Sequence, residues 1–118
     1  MTLALLTGCA GQVASPGYGG VAPRHTEVEG MRFVLRLKAD RAEVVRVSPM
    51  FPPNFEEVAR RGQIAVARES GCRPEWVIGD PSMLEIGLSC HGAAAPKTPR
   101  GRHVACDLLA AAGQPWCG

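Results

Sequence analysis

Alternating apolar and basic side chains mark the first regular stretch of the chain, residues 31–38. The alternation sets Phe33, Leu35 and Leu37 against Arg32, Arg36 and Lys38. A period of two is typical of a strand with one buried and one solvated face. Residues 43–47 repeat the β-rich composition after the short polar connection Ala39-Asp40-Arg41, so the pattern predicts a β-hairpin.

The polar side of this hairpin is strongly basic. Its cations are Arg32, Arg36, Lys38 and Arg46. A solvated outer face is the interpretation we favour, and a positive binding face is the alternative.

A helix is predicted over residues 55–70, after the break Pro52-Pro53. Asn54 is placed to cap its start, and the acidic residues of the first turn, Glu56 and Glu57, complement the helix dipole. Gly71 is a natural helix stop. The side expected to pack on the sheet carries Phe55, Val58, Ala59, Gly62, Ala65 and Val66.

Two further apolar runs, residues 75–78 and 83–88, surround the turn sequence Gly79-Asp80-Pro81-Ser82 and predict a second hairpin. The resulting order, ββαββ, predicts a two-layer α+β domain with an antiparallel sheet and one packed helix. A parallel βαβ crossover between Val47 and Trp76 is also compatible with the pattern, so the strand order stays open.

Four cysteines follow the predicted helix: Cys72, Cys90, Cys106 and Cys117. Four cysteines allow three pairings. Cys72 and Cys90 lie nine residues either side of Pro81, so a three-residue turn would place them opposite each other at disulfide distance. Cys106 and Cys117 then pair by elimination.

The length, composition and charge of the chain exclude several classes of protein. A chain of 118 residues fits one small domain, and 14 Gly with 10 Pro indicate much irregular backbone. The formal net charge of +2, from 13 basic and 11 acidic residues, argues against a nucleic-acid partner, which requires clustered cations. No stretch approaches the ~18 consecutive apolar residues of a membrane-spanning helix.

The stretch Leu6-Thr7-Gly8-Cys9, after the apolar run Leu3-Ala4-Leu5, resembles the lipobox of bacterial lipoproteins. The resemblance covers four residues. It implies that the thiol of Cys9 receives a diacylglyceryl group, that the chain is cut before Cys9, and that the new amino group is acylated. Ala10 in the next position resembles lipoproteins sent to the outer membrane. Because a signal peptide needs a basic start and a longer apolar region, we expect the natural start to lie upstream.

The chain therefore divides into a signal-peptide remnant (1–8), a flexible tether (9–29), the α+β domain (30–92), a linker (93–102) and a disulfide-closed tail (103–118). The tether is expected because residues 10–30 mix Gly, Pro, Ser and charge without apolar periodicity. Whether residues 104–112 form a strand or a helical turn stays open.

Three sets of residues are candidates for a catalytic or ligand-binding site. Cys90, His91, His103 and Cys106 are possible zinc or thiol residues, but their spacing matches no common zinc site, and an oxidising compartment favours disulfides. Asp80 and Glu85 could form a carboxylate pair, but Asp80 before Pro81 is better interpreted as an ordinary turn residue, and no second carboxylate has to face it. Lys97, Arg100 and Arg102 could bind an anionic envelope partner, although a solvated linker is favoured.

The sequence thus predicts a small non-enzymatic lipoprotein of a bacterial envelope, facing the periplasm and held on the membrane by Cys9. We expect no cofactor and no metal. The expected partner is an envelope protein or an anionic envelope polymer.

Overall fold

A computed structural model describes residues 14–15 and 17–99. Within them, five strands form one antiparallel sheet and one helix packs on it, which confirms the α+β class. The elements are β1 (Arg24–Val28), β2 (Met31–Leu37), β3 (Arg41–Arg46), α1 (Phe55–Ser70), β4 (Arg73–Gly79) and β5 (Met83–Ser89). The order along the chain is βββαββ, so the expected ββαββ order is wrong by one strand.

The additional strand, β1, lies in the stretch that was expected to be part of the tether. It pairs antiparallel with β2 through a turn in which Glu29 and Gly30 both have positive φ, 49° and 82°. β1 is an edge strand, and only Val28 of its five residues is buried. An edge strand with so little burial carries almost no apolar pattern, which is why sequence reasoning missed it.

The sheet has the strand order β1-β2-β3-β5-β4. All neighbouring strands are antiparallel, so β3 and β4 run in the same direction with β5 between them. Helix α1 is therefore a crossover between parallel strands that are not neighbours. Both predicted hairpins, β2–β3 and β4–β5, are confirmed, and the crossover alternative holds only in that β3 and β4 are parallel.

Helix α1 has the predicted bounds and the predicted ends. The side chain of Asn54 accepts a hydrogen bond from the amide of Glu57 (3.1 Å), and Gly71 closes the helix in the left-handed region with φ 71°. The helix approaches the sheet closely at Gly62, where a Cβ atom would come within 2.8 Å of Leu84 Cδ1. Its buried face also includes Gln63, whose two amide atoms have no hydrogen-bond partner among the described residues.

The β4–β5 hairpin holds the predicted disulfide between Cys72 and Cys90, with a Cα separation of 4.6 Å. Three residues connect the strands, but Gly79 pairs with Leu84 rather than with Met83. In that register Cys72 would lie opposite His91. An irregularity between Pro74 and Trp76 adds one residue, Glu75, and this bulge brings the two cysteines opposite each other.

Candidate functional site

The sheet face that points away from α1, here called the outer face, carries a buried ion pair. Arg36 on β2 and Glu43 on β3 are cross-strand neighbours, and Arg36 Nη1 lies 3.0 Å from Glu43 Oε1. Their side chains are 4% and 1% exposed. The expectation of one solvated basic face is therefore wrong at Arg46, which pairs with the core residue Phe33, and at Arg36, because another part of the chain covers it.

That cover is the segment of residues 14–15 and 17–23, here called the strap. The amide and the hydroxyl of Ser15 both donate hydrogen bonds to Glu43 Oε2. The Tyr18 hydroxyl donates to Glu85 Oε2 at 2.9 Å, and the Tyr18 ring is 2% exposed. These residues were expected to be a free tether; instead, nonlocal contacts fix them on the sheet.

Tyr18 is held in its neutral form. Burial raises the pKa of its hydroxyl above the ordinary value of 10.0, and the hydrogen bond to Glu85 raises it further. The ammonium of Lys38 lies 4.8 Å from the centre of the Tyr18 ring, at the end of β2. This cation–π contact adds to the packing of the strap without requiring an ionised tyrosine.

Glu43 and Glu85 face each other across β3 and β5, on the same face. Two adjacent carboxylates are the usual material of acid–base sites, but both already accept hydrogen bonds, Glu43 from Arg36 and Ser15 and Glu85 from Tyr18. Asp80, the other carboxylate considered, accepts from the amides of Ser82 and Met83, which confirms its turn role. The arrangement binds the strap to the sheet.

The other end of the described chain also lies on the outer face. The Trp76 indole donates a hydrogen bond to the carbonyl of Pro96 (2.7 Å). Its ring lies over Gly87, where a Cβ atom would come within 2.1 Å of Trp76 Cε2, so this position requires glycine. Residues 93–96, expected to be linker, are thereby held next to β4.

The predicted cysteine and basic sites are only partly within the described residues. The sulfur of Cys90 is bonded to Cys72, so it is not available as a zinc ligand or a nucleophile, and His91 is an exposed turn residue. Lys97 is exposed. The remaining site residues lie outside the described residues: Cys9, Arg100, Arg102, His103, Cys106 and Cys117. Within residues 14–15 and 17–99, no three His, Cys, Asp or Glu side chains are placed to hold a metal.

One end of the sheet carries an apolar surface that sequence reasoning missed. Among the described residues, the large apolar side chains that are exposed are Val47 (42%), Phe51 (96%) and Met83 (39%). Phe51 lies in the loop between β3 and α1, within the sequence Pro49-Met50-Phe51-Pro52-Pro53. The sequence signal for this surface was the presence of two large apolar residues, Met50 and Phe51, in a proline-rich loop where no core residue was expected.

A surface pocket of about 350 Å³ adjoins this loop, lined in part by Met31, Met50 and Phe51. Charged side chains flank it. Glu29 pairs with Arg60 and Arg61 at 2.5 and 3.1 Å, and Glu57 pairs with both arginines at 3.2 Å. The hydrogen bond from Arg60 lowers the pKa of Glu29 below its ordinary value. The charges in this group therefore balance each other.

No family model matches the chain, and neither the curated proteins nor the solved structures contain a significant match. No helix in the described part of the chain is long and apolar enough to cross a membrane. Geometry and sequence are therefore the basis for a functional proposal.

Proposed function

We propose that this chain is a lipoprotein of a bacterial envelope, anchored by acyl groups on Cys9 and facing the periplasm. Its folded part acts as a non-enzymatic binding or accessory module. The anchor rests on the lipobox-like residues 6–9. Two or three acyl chains hold a protein stably on a bilayer, whereas one chain does not.

The observation that carries the proposal is the disulfide between Cys72 and Cys90. Disulfides persist in oxidising compartments such as the periplasm and are rare in the cytosol. This bond joins the residue before β4 to the residue after β5, and so closes the open end of the β4–β5 hairpin. A protein that relies on such a bond is suited to an exported location.

The proposal of a non-enzymatic role is supported by the buried polar side chains of the outer face, because they are already bonded to one another or to the strap. The buried Arg36–Glu43 pair and the Tyr18–Glu85 hydrogen bond serve to hold the strap. Cys90, the central residue of the thiol or zinc alternative, has its sulfur in a disulfide. The partner is an envelope protein or an anionic envelope polymer, and exposed Lys97 is a contact for the latter.

The experiment is acyl labelling in the native host. Cells grown with a radiolabelled fatty acid should incorporate label into the wild-type protein, and the labelled protein should sediment with membranes. The Cys9→Ala variant should carry no label and leave the membrane fraction. A matched Cys106→Ala variant should still be labelled. Unlabelled wild-type protein in the soluble fraction would contradict the proposal.

A further inference from the structure

The exposed apolar side chains Val47, Phe51 and Met83 lie at one end of the sheet, here called the tip. Val47 follows β3, and Met83 opens β5 opposite Val45 on the same outer face. The loop that carries Phe51 is held to this end because the amide of Arg32, at the start of β2, donates a hydrogen bond to Ser48 Oγ (3.0 Å). Three separate segments thus carry exposed apolar groups at the same end of the sheet.

The contacts of the strap place Ser15 next to the tip. Ser15 contacts Met83, with its hydroxyl 3.2 Å from the Met83 sulfur. Three residues later, Tyr18 contacts Lys38 at the opposite end of β2. From Ser15 to Tyr18 the strap therefore runs along the outer face away from the tip, and Ser15 is the end of this stretch that lies next to the tip.

The distance from Cys9 to this point is short. Five residues separate Cys9 from Ser15. Even a fully extended chain advances by at most ~3.3–3.6 Å per residue, so Ser15 cannot be more than about 20 Å from Cys9. With acyl groups on Cys9, Ser15 and the Met83 side chain that it contacts are held within reach of the bilayer surface.

From these observations we infer that the tip docks on the lipid bilayer, with Phe51 inserted at the boundary between headgroups and acyl chains. This inference rests on the proposed function, since it requires the anchor at Cys9. Phe51 is 96% exposed in a loop that is stiffened by Pro49, Pro52 and Pro53, so its insertion loses little conformational freedom. Apolar side chains on a polar rim are typical of surfaces that lie in the membrane interface.

The neighbouring charges suit a lipid surface. Arg32 is exposed on the outer face at the same end and can contact lipid phosphates. The acidic Glu29 is neutralised by Arg60 and Arg61, so it presents little net repulsion to anionic headgroups. Insertion should therefore depend on Phe51 more than on ionic strength.

The test places a fluorescent reporter at the tip. The full chain with Phe51→Trp, purified in acylated form from host membranes, is reconstituted into vesicles of phosphatidylethanolamine and phosphatidylglycerol, with and without brominated acyl chains. The fluorescence of the new tryptophan is obtained by subtracting the wild-type spectrum. In vesicles this fluorescence should be blue-shifted, and the brominated lipid should quench it. The control is Ala94→Trp, at an exposed position near the end of β5 that lies away from the tip; its added emission should not be quenched.

The outcomes are distinguishable because the mass of each sample reports acylation independently. Quenching at position 51 alone, in acylated protein, supports the docking. If acylated protein is quenched at neither position, or equally at both, the docking inference is overturned and the anchor remains. If the protein carries no acyl group, the proposed function fails and the docking fails with it. A blue shift at position 51 that depends on protein concentration but not on lipid would assign the tip to a second copy of the chain, and would also overturn the inference.

Discussion

Replacing Cys72 and Cys90 together by alanine should lower the stability of the domain without changing its fold. The disulfide closes a loop with a sequence separation of 18 residues. For a loop of that size, the loss of chain entropy in the unfolded state corresponds to about 3 kcal/mol. A small domain has a total stability of about 5–15 kcal/mol, so the bond accounts for a large fraction of it.

The expected change in melting temperature follows from this figure. In a domain of this size, 1 kcal/mol shifts the midpoint by about 4–8 °C, so the double variant should melt about 10–25 °C below the wild type. Thermal unfolding followed by circular dichroism measures the shift. Addition of a reductant should lower the wild-type midpoint towards that of the double variant.

Two results would refute the reasoning. One is a double variant that melts with the wild type, because the bond between Cys72, just before β4, and Cys90, just after β5, would then restrict the unfolded chain less than its loop length requires. The other is alkylation of both cysteines in folded protein without reductant. Single variants are not a substitute, since each leaves an unpaired thiol in the half-buried site.

The remaining predictions concern the buried polar groups. Tyr18 is the single tyrosine of the chain, so an absorbance titration of the folded protein should show phenolate only well above pH 10, and a titration midpoint at or below 10 would contradict its burial. Because the pKa of Tyr18 is raised on folding, its contribution to stability is complete below its unfolded value and is lost as the pH rises through the folded value; Tyr18→Phe should remove this part of the alkaline loss in denaturant unfolding. Arg36→Met should cost about 3–5 kcal/mol by leaving Glu43 in a buried site without its cation, whereas adding Glu43→Met should restore part of that loss; equal costs for the single and double variants in urea unfolding would argue against a buried pair. Gln63→Met should raise the free energy of unfolding by about 1–3 kcal/mol, because it removes two buried amide atoms without partners, and a destabilised variant would show that Gln63 is hydrogen-bonded in solution.

The parts of the fold that were predictable from the sequence are those marked by residues close together in the chain. Helix α1 was predicted with its observed bounds because Asn54 and Gly71 mark its two ends and its apolar residues recur with helical spacing. The hairpins were predicted because their strands alternate or form short apolar runs. The disulfide followed from the symmetry of the cysteines about Pro81, although the compensating bulge at Glu75 has no recognisable sequence signal.

The parts that were missed depend on contacts between distant residues. Tyr18 stands alone in a Gly- and Pro-rich segment, and nothing in that segment indicates that Glu85 accepts its hydrogen bond. Arg36 belongs to an alternating basic row, which looks solvated until the strap covers it. Residues of β1 have mostly exposed side chains and acquire their structure from the edge of β2. In each case the partner is a surface of the folded sheet rather than a neighbour in sequence.

The difference between a free tether and a strap fixed on the sheet affects how the domain would lie relative to the membrane. A free tether of residues 9–29 would hold the domain at a variable distance from the membrane and would not restrict which face points towards it. The strap instead fixes the chain from Ser15 onwards on the sheet. Only a short segment then separates Cys9 from the folded domain, so the proposed anchor at Cys9 would restrict how that domain is oriented on the membrane.

The most direct test of the account is the intact mass of the protein isolated from its native host and alkylated without reductant. We predict a chain that begins at Cys9, carries the mass of a diacylglyceryl group and an amide-linked acyl chain, and has Cys72 and Cys90 protected from alkylation. A chain that retains residues before Cys9, with an unmodified thiol there and alkyl groups on Cys72 and Cys90, would contradict both the anchor and the exported location.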